Sequence, residues 1–530
     1  MPRRWATLLQ ALATSFTKMP IYPITNCGAG LNSDLTPEEL GPGYWSSSIN
    51  MRFADGFASR VRGTTQVFDT PAVTPYFISP YTTSTTRFWL HAGLAAVYVD
   101  DGTTRTDITG TAPTGAIDDK WTGGSLNGVF VLSNGKDLPM FWAGNTAVNL
   151  ATLTGWDANW KAVAVRPFKN FIIALGVTKT ATVYPHMVKW SDSADPGAIP
   201  TSWDSTNPAL DAGEVDLAET PDIIVDCLPL GDVNIIYKER SMYAMSYIGA
   251  PYIFRFQRLP GDVGMLARGC AVATPLGHVV MTAGDVIIHS GQGATSICTA
   301  IVRDYIFKNI DSTYYKRSFV TANPQRNEVW VCFPYGSSAT CNRAAVWNWV
   351  DKTWGIRELT NVTYGAFGQV SVTSSITAWS GAGSLTWAAA ATAWSENEYS
   401  PAEARLLLSH STPMISLADT GTTDFGSIIT ATLERSGMSM GEPDRVKLLR
   451  SIYPVIDGVN GSTVSIQVGA SMFPDSPPAW QTAQTFTIGT DVKIDSFTTG
   501  RYLSIRFSNA DYSPWRIRSF RVDYVGQGFF

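Results

Sequence analysis

One pattern limits this chain more than any other: a short apolar strand, a Gly/Asn/Asp turn, then a second apolar strand, repeated along most of its length. It runs from Phe88 to Gly102, from Val129 to Gly135 with Leu138 to Trp142, and from Phe171 to Gly176 with Met187 to Trp190. It returns from Val233 to Met245, from His278 to Gly291, from Glu328 to Phe333 with Ala345 to Trp349, and from Ala404 to His410 with Met414 to Leu417. Most of these units recur about every 40–50 residues, the period of a propeller blade. Further strands lie between them, at Asp222–Val225 and Trp354–Arg357, and would bring each blade to four. The composition agrees: only 16% of residues are charged, 12% are aromatic, and 45 Gly and 30 Pro supply chain reversals.

The sequence therefore predicts an all-β chain. An irregular six- or seven-bladed β-propeller occupies 65–426, with an insertion near 371–400 whose Ala/Trp-rich stretch from Leu385 could form a helix. From about Ser427 the pattern changes to strict alternation, at Val464, Ile466 and Val468 and again at Leu503, Ile505 and Phe507. That is a strand buried on one face, and 427–530 is expected to be a small C-terminal β-sandwich. After Ile517 the apolar phase shifts to Phe520, Val522 and Tyr524, which predicts a β-bulge. Residues 1–64 are expected to form a short amphipathic helix, which packs on a neighbour, and a strand joining the propeller.

Chemistry is sparse. There is no P-loop, no G-x-G-x-x-G after a strand, no G-x-S-x-G and no H-E-x-x-H. The five histidines, His91, His186, His278, His289 and His410, lie in or beside predicted strands and read as filled strand positions. The paired acids Asp100/Asp101 and Asp118/Asp119 read as turn residues. Ser193, Asp195 and Gly197 match the start of the Asp box of sialidase-type propellers, itself a structural turn, but the following Thr-Trp is displaced to Thr201 and Trp203. The six cysteines include no C-x-x-C and are expected to be buried thiols in a reducing compartment. No apolar run is long enough for a membrane span. The net charge of −5 disfavours a protein that grips DNA by its phosphates. Residues 431–530 carry 10 Lys/Arg against 9 Asp/Glu, so the Arg/aromatic runs there lack a cationic excess. The sequence predicts no enzymatic role, no cofactor and no metal.

A family pattern appears at the centre of the chain. It opens with the run from Lys189 to Asp204, which contains Trp190, Ser191, Asp192 and Trp203, and continues through Ala212–Leu217. A strand pair around Lys238, the Gly249–Phe254 segment and Gly277–Asp285 follow. This resembles the propeller of tailed-bacteriophage tail proteins: the nozzle, or tail tubular protein B, and the related packaged-DNA stabilisation or tail-hub proteins. Gly28–Asp34, Trp45–Met51 and Gly56–Gly63 resemble the opening of those proteins, and the run from Trp515 to Tyr524 resembles their final strand.

The resemblance implies a structural virion protein of the tail, assembled in the host cytoplasm. It implies a homo-oligomeric ring, a homohexamer, that docks an adaptor or portal-proximal tail protein above and tail fibres or spikes beside it. Double-stranded DNA would pass through the ring during retention and ejection without being gripped, which the acidic balance suits. A carbohydrate-active or glycan-binding propeller is the alternative, motivated by the partial Asp box. A kelch- or WD-type scaffold is a third reading, disfavoured by the lack of repeated blade signatures.

Overall fold

The computed structural model describes residues 21–370, 404–474, 476–509 and 511–529. The helices expected near the N-terminus and in the 371–400 insertion lie outside the described residues. Five separate four-stranded antiparallel sheets succeed one another from Phe77 to Ser296, and each is one blade. Blades six and seven share a nine-stranded sheet. Its strand Thr353–Gln369 pairs over Thr353–Glu358 with the third strand of blade six, and over Val362–Gln369 with Ala404–His410 of blade seven. One strand is therefore the outer strand of one blade and the inner strand of the next. The propeller has seven blades.

Every repeat read from the sequence forms the second and third strands of a blade. These strands are buried on both faces, as in Val129–Ser133 and Glu328–Phe333, which are buried at every position. That is why they appear as continuous apolar runs and not as alternation. Apolar clusters fill the seams between blades. Tyr81, Phe88, Phe130 and Trp142 fill the first, between blades one and two. Ile173, Trp190, Ile236 and Phe254 fill the third. Ile78, Trp89, Leu407 and Leu417 close the last, between blades seven and one.

The ring is closed from the N-terminal side. Thr64–Gln66 supplies the outer strand of blade seven, pairing with Ser416–Ala418. Gly63, just before it, sits so close to Thr423 that an added Cβ would lie 1.8 Å from that carbonyl oxygen. Gly63→Ala is expected to destabilise the protein by about 1–3 kcal/mol, through overpacking at the closure. Chemical denaturation would measure it, and an unchanged midpoint would contradict the packing.

The C-terminal unit is a sandwich of two six-stranded sheets, and it corrects the boundary read from the sequence. The sequence predicts that residues 1–64 carry a strand joining the propeller, yet of their described strands only Thr64–Gln66 does so. Ile21–Ile24 pairs with Phe520–Asp523, Ser47–Ile49 with Thr432–Glu434, and the hairpin Met51–Arg60 adds to the strand Trp515–Phe529. Trp45 is buried at the centre, edge-on to Phe507 at 6.0 Å and 6.1 Å from Phe520. The physical reason is edge satisfaction: the strands built from 427–530 leave unpaired backbone that these short segments cover.

The phase shift after Ile517 is a bulge, since Val455 pairs with Ser519 but Ile456 pairs with Ile517. The sandwich docks on blade six, where Leu31 and Asn50 donate amide hydrogens to Trp354 and Ile356, each at 2.8 Å. One apolar core runs from blades four, five and six into the sandwich.

Candidate interaction surfaces

The residues singled out by the family pattern are architectural, and they do not gather into one site. Trp190, Ser191, Asp192 and Trp203 staple the long crossing 191–212 between the third and fourth strands of blade three. Trp190 is buried edge-on to Phe254 of blade four, and its Nε1 donates to the Asp211 carbonyl at 2.8 Å. The Ser191 hydroxyl accepts the Ile172 amide, and the Asp192 carboxylate accepts the amides of Ser193 and Asp211. Trp203 stacks edge-on to Trp156 at 4.7 Å.

Lys238 lies in blade four with no exposure, its ammonium donating to the carbonyls of Leu217 and Thr220 and to the Thr220 hydroxyl. The Asp222 carboxylate is 3.5 Å away. Burial pulls the Lys238 ammonium below the usual lysine range, while Asp222 is held at about 2, against its own burial, by the Arg240 amide and neighbouring hydroxyls. Gly249 turns the hairpin between Met242–Gly249 and Ile253–Arg258 at φ +79°. Trp515 is a core residue of the sandwich.

The Asp-box fragment is a turn: the Asp195 carbonyl accepts the Ala198 amide, and the Gly197 amide reaches Asn127 of blade two. Asp101 caps the amides of Thr103 and Thr104. Asp100 pairs with Arg105, and Asp118 with Arg317. Among the described residues all six cysteines are unpaired and buried, and no group of His, Cys, Asp or Glu could hold a metal ion. No helix among them is long and apolar enough to cross a membrane.

Three surfaces are visible only in the fold. The first closes one end of the propeller axis. Lys120, at the entry of blade two, donates to the carbonyls of Arg268 and Ser318, at the entries of blades five and six. Arg268 returns bonds to Lys120 and Val163, each at 2.8 Å. Beneath them Arg166 holds Asp226 through both carboxylate oxygens, at 2.9 and 2.7 Å. The Arg166 guanidinium keeps the Asp226 carboxyl below the usual range, against the opposing effect of burial. Single residues from five blades build this plug, so no local motif announces it.

The second surface is a groove of about 760 Å³ between blade six, the hairpin Met51–Arg60 and the sandwich. Arg52, Arg60, Arg62, Arg326 and Arg516 line it, with Asp55, Asp351 and Asp457 between them. Arg516 bonds Asp457 at 3.1 Å while stacking on Phe57 at 4.4 Å. Interleaved signs over an aromatic ring suit a protein contact; a phosphate track needs unbroken positive charge. The third surface is the tip of the blade four hairpin, where Tyr247, Ile248 and Tyr252 project into solvent, Tyr252 at 75% exposure.

No family model and no curated protein matches the sequence. Solved structures that the chain is similar to include the WD40 β-propeller domain of Doa1, at 8% identity and a TM-score of 0.34, over 68% of this chain and 96% of that one. The AfRom2 CNH domain gives 8% identity and a TM-score of 0.35, over 68% and 99%. The extracellular domain of the two-component system BT3049 from B. thetaiotaomicron gives 8% and 0.38, over 67% of this chain and 42% of that one. The propeller assignment rests on the strand pairing given above.

Proposed function

We propose that this chain is a structural component of a bacteriophage tail, a ring-forming nozzle or hub of the conduit that retains and releases genomic DNA. The observation that carries the reading is the order of the resembling segments along the chain, from Gly28–Asp34 through Lys189–Asp204 to Trp515–Tyr524. The geometry supports a load-bearing role: the segments staple a loop, bury a lysine and knit both ends of the described chain into one sandwich. DNA would pass between copies, since the described axis of the propeller is crossed by the Lys120–Arg268 plug.

Two patches differ in kind, the charged groove and the apolar hairpin tip, as heterologous contacts in a closed ring require. Adaptor, fibre and spike proteins are the partners that this role needs. Light scattering and electron cryomicroscopy of the purified protein are expected to give a sixfold ring. A monomer at every accessible concentration, with the protein absent from purified virions, would overturn the reading.

A further inference from the structure

Tyr237 stands on the second strand of blade four, and His278 and His289 stand on the second and third strands of blade five. All three are buried, at 0, 0 and 2% exposure. The Tyr237 hydroxyl lies 2.7 Å from His278 Nδ1 and 2.7 Å from His289 Nε2. His278 Nε2 lies 2.9 Å from the Pro229 carbonyl, and His289 Nδ1 lies 3.3 Å from the Gly291 amide.

Only one proton arrangement satisfies this string. A carbonyl cannot donate, so His278 carries its hydrogen on Nε2 and accepts from Tyr237 at Nδ1. The tyrosine oxygen then accepts from His289 Nε2, whose Nδ1 accepts the Gly291 amide. The string therefore runs without a break from the blade five turn, across the seam, to the first strand of blade four. An added proton has no place in it. On His278 Nδ1 it would face the tyrosine hydrogen, and on His289 Nδ1 it would face an amide hydrogen.

We propose that Tyr237, His278 and His289 form a proton-operated latch, which fastens blades four and five at neutral pH and releases that seam on acidification. No anion is placed to compensate a charged imidazole. From the first strand of blade four the facing groups are Asp226, committed to Arg166, and the neutral thiol of Cys227. Lys238 turns to the Thr220 side. Strands Ala271–Thr274 and Ala294–Ser296 bring no titratable group. Burial lowers both histidines, and the neighbouring His278 helps to hold His289 at about 4. The sign follows: the unfolded side chains bind protons first, so the seam is stable above about pH 6.5 and loosens as pH falls toward 4.

Hydrogen exchange of the full chain at pH 7 and pH 5, corrected for the intrinsic rate, tests the latch. Strands Val233–Lys238, Gly277–Met281 and Val286–His289 are expected to lose protection by about tenfold or more. Strands Val129–Ser133 and Phe171–Lys179, which meet at the seam between blades two and three and hold no histidine, serve as the internal control. Equal acceleration at both seams would overturn the proposal. So would acid opening that persists in a His278→Gln/His289→Gln variant folded at pH 7. If that variant does not fold, nitrogen-15 spectra of the wild-type imidazoles decide. Both rings neutral at pH 6, with the tautomers given above, support the latch, and native titration of both near 6.5 refutes it.

Discussion

Asp419→Ala is expected to lower the unfolding free energy by about 3–5 kcal/mol, among the largest effects of any single substitution in this chain. Asp419 is 8% exposed and receives Arg357 at 2.7 Å and Arg52 at 2.6 Å, and Arg52 also bonds Glu328. Arg52 belongs to the sandwich, Arg357 and Glu328 to blade six, and Asp419 follows the third strand of blade seven. One carboxylate thus joins both units and the closing blade. Burial alone would raise its proton affinity, but the two guanidiniums hold it well below the carboxylate range.

Removing the carboxylate leaves the Arg357 guanidinium, whose side chain is 5% exposed, desolvated without its carboxylate partner, and leaves Arg52 with Glu328 alone. That desolvation penalty decides the magnitude; an exposed pair would give a fraction of it. Asp419→Asn should cost less than Ala, because the amide oxygen still accepts one bond. Equilibrium urea unfolding of both variants measures the order, and an Ala variant within 1 kcal/mol of wild type would contradict the network's role.

The second large effect concerns the sandwich as a unit. Residues 427–530, produced alone, are expected to stay unfolded or to aggregate. Without Ile21–Ile24, Ser47–Ile49 and Met51–Arg60, the strands Thr432–Met438 and Trp515–Phe529 lose pairing partners, and the core loses Trp45, Met51 and Phe53. Three buried side chains of that size represent about 6–9 kcal/mol of burial, comparable to the whole stability of a small domain. Adding a peptide of residues 21–60 should restore strand-type circular dichroism and a cooperative melt. A fragment that melts cooperatively without the peptide would show that the first strands are decoration.

The propeller was legible because a blade strand buried on both faces must be apolar at successive positions, as Val129–Ser133 is. The bulge near Ile517 was legible for a related reason: a phase shift has no other cheap explanation in a paired strand. Partner choice was not. Ser47–Ile49 is a three-residue strand whose partner lies most of the propeller away in sequence, at Thr432–Glu434, and nothing local encodes that distance. The Lys120–Arg268 plug and the Asp419 network were hidden for the same reason, since each draws single residues from several blades. His278 and His289 read as filled strand positions, and so they are. Their common hydroxyl partner becomes visible only when two blades meet.

The neighbouring placement of Ile21–Ile24 and Phe520–Asp523 also imposes a schedule. A ribosome adding about 5–20 residues per second releases the first strand roughly half a minute to two minutes before its partner exists. During that interval seven blades can form in order, while Trp45 still lacks Phe507 and Phe520, the rings it packs against. Completing this sheet is therefore a long-range capture of an early segment by a late one. Its rate should depend on how well the nascent chain is shielded, more than on the strength of any blade.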